Sequence, residues 1–379
     1  MKILYTHRTS ARDGSAVHIR SLQDAFRRRG HDVSELGPPA SPAGAAGSWR
    51  AGPARRALRE AAVYAYNPVG WIRVRRAIRR FRPDLLYERH ALANASGVLA
   101  AARAGIPCVL EWNAPESVEL AEEGALLFPR LAARAEAAVL RRASLVAVVS
   151  GPLARMAWDR GVRRERTVVT PNGVELERFR PGIDGGRVRR RWGLEKGIVA
   201  GFVGYVRDWH RLDLVLEVLA ARQLAARGMR LLVVGNGPAR EGLETRARAL
   251  GLEAFVRFAG EVPHEDVPAH VAAFDLALLP AIRPYASPLK LAEYLAAGKA
   301  VVAVRQENIE EVVRDGEEAL LFPPGDGPAL GTALEALVDR PDRRAALGAA
   351  GRERVVAANL TWEGNVSRIE EALEARGAP

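Results

Sequence analysis

Residues 276–304 read LALLPAIRPYASPLKLAEYLAAGKAVVAV, and the reading of this stretch decides how the rest of the chain is parsed. Leu276–Leu279 is an apolar run too short for a helix and of the right length for a buried strand. A Ser287-Pro288 start signal and a Gly298 stop bound a helical stretch, and Val301–Val304 is a second apolar run. Strand, helix and strand in so short a span imply a parallel pair joined by a covering helix.

The same alternation extends in both directions. Val199–Val203, Leu231–Val234, Val256–Ala259 and Leu320–Phe322 are further short apolar runs, separated by helical stretches such as 212–226 and 238–250. Upstream, Ile3–Thr6 leads through the polar loop Asp13-Gly14-Ser15 into a helical pattern over 16–29 that stops at Gly30. Strands follow near 85–87, 108–111 and 145–149, with helical patterns at 94–103, 128–142 and 152–160. Turn residues and charges interrupt the periodicity over Pro171–Trp192. The expectation is an α/β protein of two doubly wound, Rossmann-like domains, 1–180 and 181–360. Ligands of such sheets bind beyond the carboxyl ends of the strands, so a cleft between two facing sheets is the expected place for chemistry.

Composition bounds the function. A chain of 379 residues with 48% hydrophobic content fills two cores, which excludes a peptide, a disordered tail or a disulfide-stapled miniprotein. Cys108 is the only cysteine, so no intrachain disulfide or cysteine-built metal site forms, and a reducing compartment is the natural reading. The opening Met-Lys-Ile-Leu-Tyr-Thr-His-Arg meets charge too soon for a signal peptide, and no stretch approaches the roughly 18 apolar residues of a membrane span. A cytoplasmic protein is expected, at most peripheral on the inner face of a membrane.

The net charge of +11 is unevenly placed. Residues 1–180 carry 30 basic against 17 acidic side chains, whereas 181–379 carry 26 against 28. Arg50 to Arg82 alone holds ten arginines and one acid, Glu60, among Tyr64, Tyr66, Trp71, Ile72 and Phe81. This basic stretch reads either as a helix lying on an anionic membrane surface or as a solvated face in an arginine-rich chain. The segment 37–52, rich in Pro, Ala, Gly and Ser, reads as a mobile loop. Only four lysines occur, at 2, 196, 290 and 299, so a lysine inside a motif stands out.

In the quoted stretch, a helix N-terminus at a strand's carboxyl end offers free N–H groups and partial positive charge to an anion. Lys290 adds a charge-assisted bond to phosphate, of ~1.5–3 kcal/mol. Glu293, three residues later on the same helix face, can accept two hydroxyls of a ribose. Together they form a candidate diphosphate-ribose clamp. Gly14 and Ser15 read as a tight turn or as a diphosphate or sugar contact; Gly235, Asn236 and Gly237 form a turn whose backbone can border a nucleotide. His18 opens the first helix, as a structural or a functional group. Asn113 hydrogen-bonds but takes no proton, which excludes a general base there.

The segment Pro284–Gly298 resembles the donor-binding signature of glycosyltransferase family 4, retaining enzymes of GT-B architecture. The resemblance spans nearly the whole chain: the N-terminal glycine loop, Thr170-Pro171-Asn172-Gly173-Val174 with Phe179-Arg180-Pro181, Gly201-Phe202-Val203-Gly204, and Val233-Val234-Gly235-Asn236-Gly237-Pro238. It implies a nucleoside diphosphate sugar as donor, UDP or GDP foremost, with no further cofactor and no metal. The acceptor is a glycan, a lipid-linked or a small molecule, and the helix over about 361–379 packs back on the first domain. Donor contacts fall on Tyr205, Val262, Tyr285, Ser287, Pro288, Leu289 and Leu291, and acceptor contacts on His18 and Glu111. The family's usual pair of glutamates is here Tyr285 and Glu293, and its phosphate-binding Arg and Lys fall on Tyr205 and His210. Arg207, His210 and Lys290 are the expected cationic replacements, with Asn113 as a positioning group. A nucleotide-sugar epimerase would need titratable groups where Asn113 stands. A nucleic-acid binder would leave the clamp unused, and no nucleic-acid partner is expected.

Overall fold

The computed structural model describes residues 1–9, 14–38 and 52–377. Asp13 and most of the loop expected over 37–52 lie outside them. The chain forms two compact units: Met1–Pro171 together with Trp362–Pro379, and Asn172–Thr361.

In the first unit, β1 (Lys2–Thr6), β2 (Asp32–Leu36), β3 (Leu85–Arg89), β4 (Cys108–Trp112), β5 (Leu145–Val148) and β6 (Thr167–Val169) form one parallel sheet in the order β2-β1-β3-β4-β5-β6. The central strands are apolar on both faces, as a sheet covered by helices on both sides requires: Leu4, Leu86, Val109, Leu110 and Val146 are all buried. The two edge strands, β2 and β6, are only partly buried. The helix Gly14–Arg28 turns Ile19, Leu22 and Phe26 inward, and the last helix, Trp362–Glu374, packs against it. Arg28 pairs with Glu363, and Arg29 and His31 both reach Glu370. The basic stretch forms one long helix, Pro53–Phe81, which carries Pro68 in its interior.

In the second unit, β7 (Ile198–Val203), β8 (Met229–Val234), β9 (Val256–Gly260), β10 (Leu276–Leu279), β11 (Ala300–Val304) and β12 (Leu320–Phe322) form a second parallel sheet, ordered β12-β11-β10-β7-β8-β9. Both sheets are six-stranded and all-parallel, the doubly wound architecture of the sequence reading. The strand order of the second reverses between β7 and β10, so connections leave those neighbours in opposite directions and open a crevice at their carboxyl ends.

The quoted stretch supplies β10, the helix Leu289–Ala296 and β11. Its Tyr294 is fully buried and accepts a 2.8 Å hydrogen bond from the Val203 N–H at the end of β7. This bond fixes the helix against the strand whose end opens the crevice. Tyr294→Phe leaves that N–H unpaired, at a cost of about 1–3 kcal/mol. Calorimetric melting should show a Tm lower by roughly 2–10 °C; an unchanged Tm would mean that the bond adds nothing to the fold.

Candidate functional site

At the crevice of the second unit, β7 runs out into Gly204, with φ +140°, and the following chain turns back over the strand ends. A Cβ on Gly204 would sit 2.8 Å from Lys290 Nζ, and one on Gly235 would sit 2.1 Å from the Gly204 carbonyl oxygen. Only glycine allows these two backbones and the lysine to approach so closely. Backbone bonds seal the arrangement: Gly204 N–H donates to Val234 O, Val206 N–H to Asn236 O and Gly235 N–H to Gly260 O. The Gly235-Asn236-Gly237 turn therefore shapes the Gly204–Val206 loop, while Asn236 itself is exposed.

Lys290 lies in the first turn of the helix that follows β10. Its Nζ sits 3.9 Å from the centre of the Phe202 ring and 3.2 Å from His210 Nε2. Burial pushes the Lys290 amine down to about 7, with Glu293 acting against the shift. His210 is buried, and burial followed by the charges of Lys290 and Arg207 brings its imidazole down to about 2. His210 is therefore a neutral partner that orients Lys290, and not the cation expected from sequence. Arg207 is exposed, with its guanidinium 5.1 Å from the centre of the exposed Tyr205 ring. The cations of this crevice are Arg207 and Lys290.

Glu293, one helical turn beyond Lys290, is buried, and desolvation raises its carboxyl to about 7 despite Lys290 and Arg178. The remaining donor-site expectations divide. Ser287 does not cap the helix, because the cap position is Pro288 and no side-chain cap forms. Instead the Asn172 N–H donates to Ser287 Oγ at 2.9 Å, and Asn172 Nδ2 donates to Ser287 O. Leu291 points into the hydrophobic core, and its N–H is bonded to Pro288 O, so it offers the crevice nothing. Pro288 is buried, Leu289 is partly buried, and Val262 packs on the core. Tyr285 lies on the loop before the helix. That loop is held by Asn308, which sequence reasoning missed: its Nδ2 donates to Arg283 O and Ala286 O. No local pattern marks Asn308, because its partners lie more than twenty residues upstream.

In the first unit, Glu111 at the end of β4 is a hub. It pairs with His18 at 3.1 Å and with Arg89, and it accepts from Tyr5 Oη at 3.2 Å and from Asn113 Nδ2. Burial alone would raise its carboxyl, but His18 and Arg89 outweigh burial and hold it far below the usual carboxylate range. Glu111 is only 2% exposed with its oxygens filled, so it orients His18, Arg89 and Asn113 and does not itself meet an acceptor. His18 also packs edge-on against Trp362, 4.8 Å between ring centres. Asn113 Oδ1 is buried without a hydrogen-bond partner. Gly14 is exposed and opens the first helix, with Ser15 partly buried behind it. Among the described residues, no group of three or more His, Cys, Asp or Glu is arranged to hold a metal ion.

The raised Glu293 carboxyl has a stability consequence of definite sign. Its folded-state value, about 7, lies above the ordinary 4.5, so the folded state holds its proton more tightly. Stability from this group is complete below pH 4.5 and is lost as pH rises through 7. Glu293→Gln should therefore match the wild type near pH 4 and be more stable above pH 7, by up to ~3 kcal/mol. Tm measured across this range checks it, and a variant less stable at pH 8 than at pH 4 relative to wild type would contradict it.

Comparison with known proteins gives the lineage. The chain matches the description Glycosyl transferases group 1 over residues 187–354 and Glycosyltransferase Family 4 over residues 12–178. A GDP-mannose-dependent alpha-(1-6)-phosphatidylinositol monomannoside mannosyltransferase of Mycolicibacterium smegmatis is 31% identical over 214 residues, 54% of this chain and 56% of that protein. A D-inositol 3-phosphate glycosyltransferase of Geodermatophilus obscurus is 31% identical over 306 residues, 77% of this chain and 66% of that one. The matches thus span between about half and two thirds of these relatives' lengths. Among solved structures, the Anabaena protein HepE in complex with UDP superposes with a TM-score of 0.77 at 21% identity, over 99% of this chain and 100% of that one. The two consecutive family matches, the relatives about 30% identical and the shared GT-B fold leave one assignment: the chain belongs to glycosyltransferase family 4.

Proposed function

We propose that the protein transfers a sugar from a nucleoside diphosphate sugar, UDP- or GDP-linked, to a glycan, lipid-linked or small-molecule acceptor. The observation that carries this reading is Lys290, an amine held beside Gly204 at the carboxyl ends of β7 and β10, partly desolvated and close to losing its charge. A diphosphate placed there restores the ammonium's charge by supplying its missing counterion. Glu293 accepts ribose hydroxyls, and Arg207 adds a second cation at the crevice rim. As the bond from the sugar to the diphosphate breaks, negative charge grows on the leaving oxygen. Preorganised cations aimed at that charge are usually the largest catalytic contribution. In this reading the cations replace a metal ion.

The first unit takes the acceptor, with Asn113 and His18 as positioning groups held by Glu111. Asn113 cannot accept the acceptor's proton, so a donor phosphate oxygen accepts it, which favours transfer on the face the leaving group departs from and hence retention. The long basic helix supports contact with an anionic membrane surface: Leu58, Val69 and Ile72 are exposed among its arginines. No helix among the described residues is long and apolar enough to cross a membrane.

A turnover assay tests the transfer reading. Free nucleoside diphosphate should appear only when donor and acceptor are both present, and Lys290→Ala should lower kcat by ~10²–10³ while the protein stays folded. Release without an acceptor, or full activity in Lys290→Ala, would overturn it. Sedimentation with anionic vesicles but not with neutral ones, weakening as salt rises, is the expected result for the membrane contact; equal sedimentation with both would contradict it.

A further inference from the structure

We propose that Asn365, on the last helix of the first unit, is a positioning residue for the Lys290 helix of the second, acting through one peptide group, Pro171–Asn172, and through Ser287. That peptide is where the chain leaves the first unit: Pro171 belongs to the first unit and Asn172 opens the second. Its two polar ends are used on the two sides of this boundary. Pro171 O accepts from Asn365 Nδ2 at 2.6 Å, and the Asn172 N–H donates to Ser287 Oγ at 2.9 Å.

A peptide group is planar, so its carbonyl oxygen and its N–H turn as one body. Little freedom is left to turn this one. The Thr170 N–H is fastened to Val148 O at 2.7 Å, at the end of β5, and the ring of Pro171 fixes its φ. What remains is the ψ rotation of Pro171, and the bond from Asn365 to the oxygen removes it. Asn365 is itself held firmly: it is only 2% exposed, and its helix is seated by Trp362, buried against His18, and by Glu363 and Glu370, paired with Arg28 and Arg29. The direction of the Asn172 N–H is thus decided by side chains of the first unit.

In the second unit that N–H meets the loop that leads into the Lys290 helix. Asn172 Nδ2 also donates to Ser287 O, while Asn308 Nδ2 donates to Ala286 O at 2.7 Å. Two consecutive carbonyls are therefore pinned, one by the crossing chain and one by the short helix Glu307–Glu310. Pro288 follows with its own φ fixed, and Lys290 is two residues further on. A shift of Ser287 is carried into the first turn of this helix, where Lys290 Nζ lies against the Phe202 ring and His210. Misplacing a reacting group by about 1 Å can cost roughly 10²-fold in rate. An asparagine that meets no donor atom can govern the donor site in this way.

This rests on the proposed function only in taking Lys290 as the group that meets the donor. The test uses the whole protein, with hydrogen exchange of the amides over 283–291 in the absence of ligand and calorimetric titration with UDP and GDP. Asn365→Leu, close to asparagine in volume but with no donor, should speed that exchange about tenfold and weaken binding of the nucleotide that wild type takes about three- to tenfold. Ser287→Ala should do the same, whereas Ser287→Thr, which keeps the hydroxyl, should behave as wild type. Once Ser287→Ala is in place, Asn365→Leu should add little, because both break one connection. Glu363→Gln, on the same helix but away from the peptide, should leave both readouts unchanged. Wild-type exchange in Asn365→Leu, additive effects in the double variant, or an equal response to Glu363→Gln would overturn the proposal. If neither nucleotide binds wild type while exchange still answers to Asn365→Leu, the transfer reading falls and the coupling stands.

Discussion

The ammonium of Lys290 is held off water against the face of Phe202, beside an imidazole that cannot share its charge, and much of the second unit is arranged to keep it there. Tyr294 ties its helix to the end of β7, Asn172 ties the preceding loop through Ser287, and Asn308 holds the turn before that. Gly204 and Gly235 give the backbone room to pass it. An isolated, partly desolvated cation disfavours its own charged form. In the proposed transfer the same desolvation makes its attraction to an incoming anion strong. Glu293 shares this tension with opposite sign, so the two buried groups cost stability that neutral side chains would not. That is the usual cost of a preorganised site.

The first unit solves the same problem differently. Its buried carboxylate, Glu111, is saturated by His18, Arg89, Tyr5 and Asn113, so it serves as a rigid anchor. Both sheets are all-parallel and each reverses its strand order once, but the first divides two strands from four and the second three from three.

The architecture was legible in sequence because central parallel strands are apolar on both faces. Leu276–Leu279 and Val301–Val304 announce themselves, and the helix between them is bounded by Pro288 and Gly298. Edge strands carry no such signal: Asp32–Leu36 is half polar and Thr167–Val169 is three residues long, and neither is evident before the sheet is assembled. At the site, Lys290 and Glu293 could be read from helical spacing, since both depend on one local element. Charge state could not. His210 looks like a cation in a string of residues and becomes neutral only when folding buries it next to Lys290 and Arg207. Leu291 and Ser287 belong to the right motif but turn to the core and to Asn172. The stacking of Arg8 on Tyr66 joins residues about sixty apart, beyond any local pattern.

Burial brings the Lys290 amine down to about 7, and under the proposed transfer a bound diphosphate raises it again, which proton linkage measures directly. Calorimetric titration of the protein with UDP and GDP at pH 8, in buffers of different ionisation enthalpy, reports the protons taken up on binding. With an amine near 7 in the empty site, binding should draw in a fraction of a proton from the buffer, and Lys290→Ala should abolish that uptake and most of the affinity. Binding with no proton uptake, or with uptake and affinity unchanged in Lys290→Ala, would contradict the account.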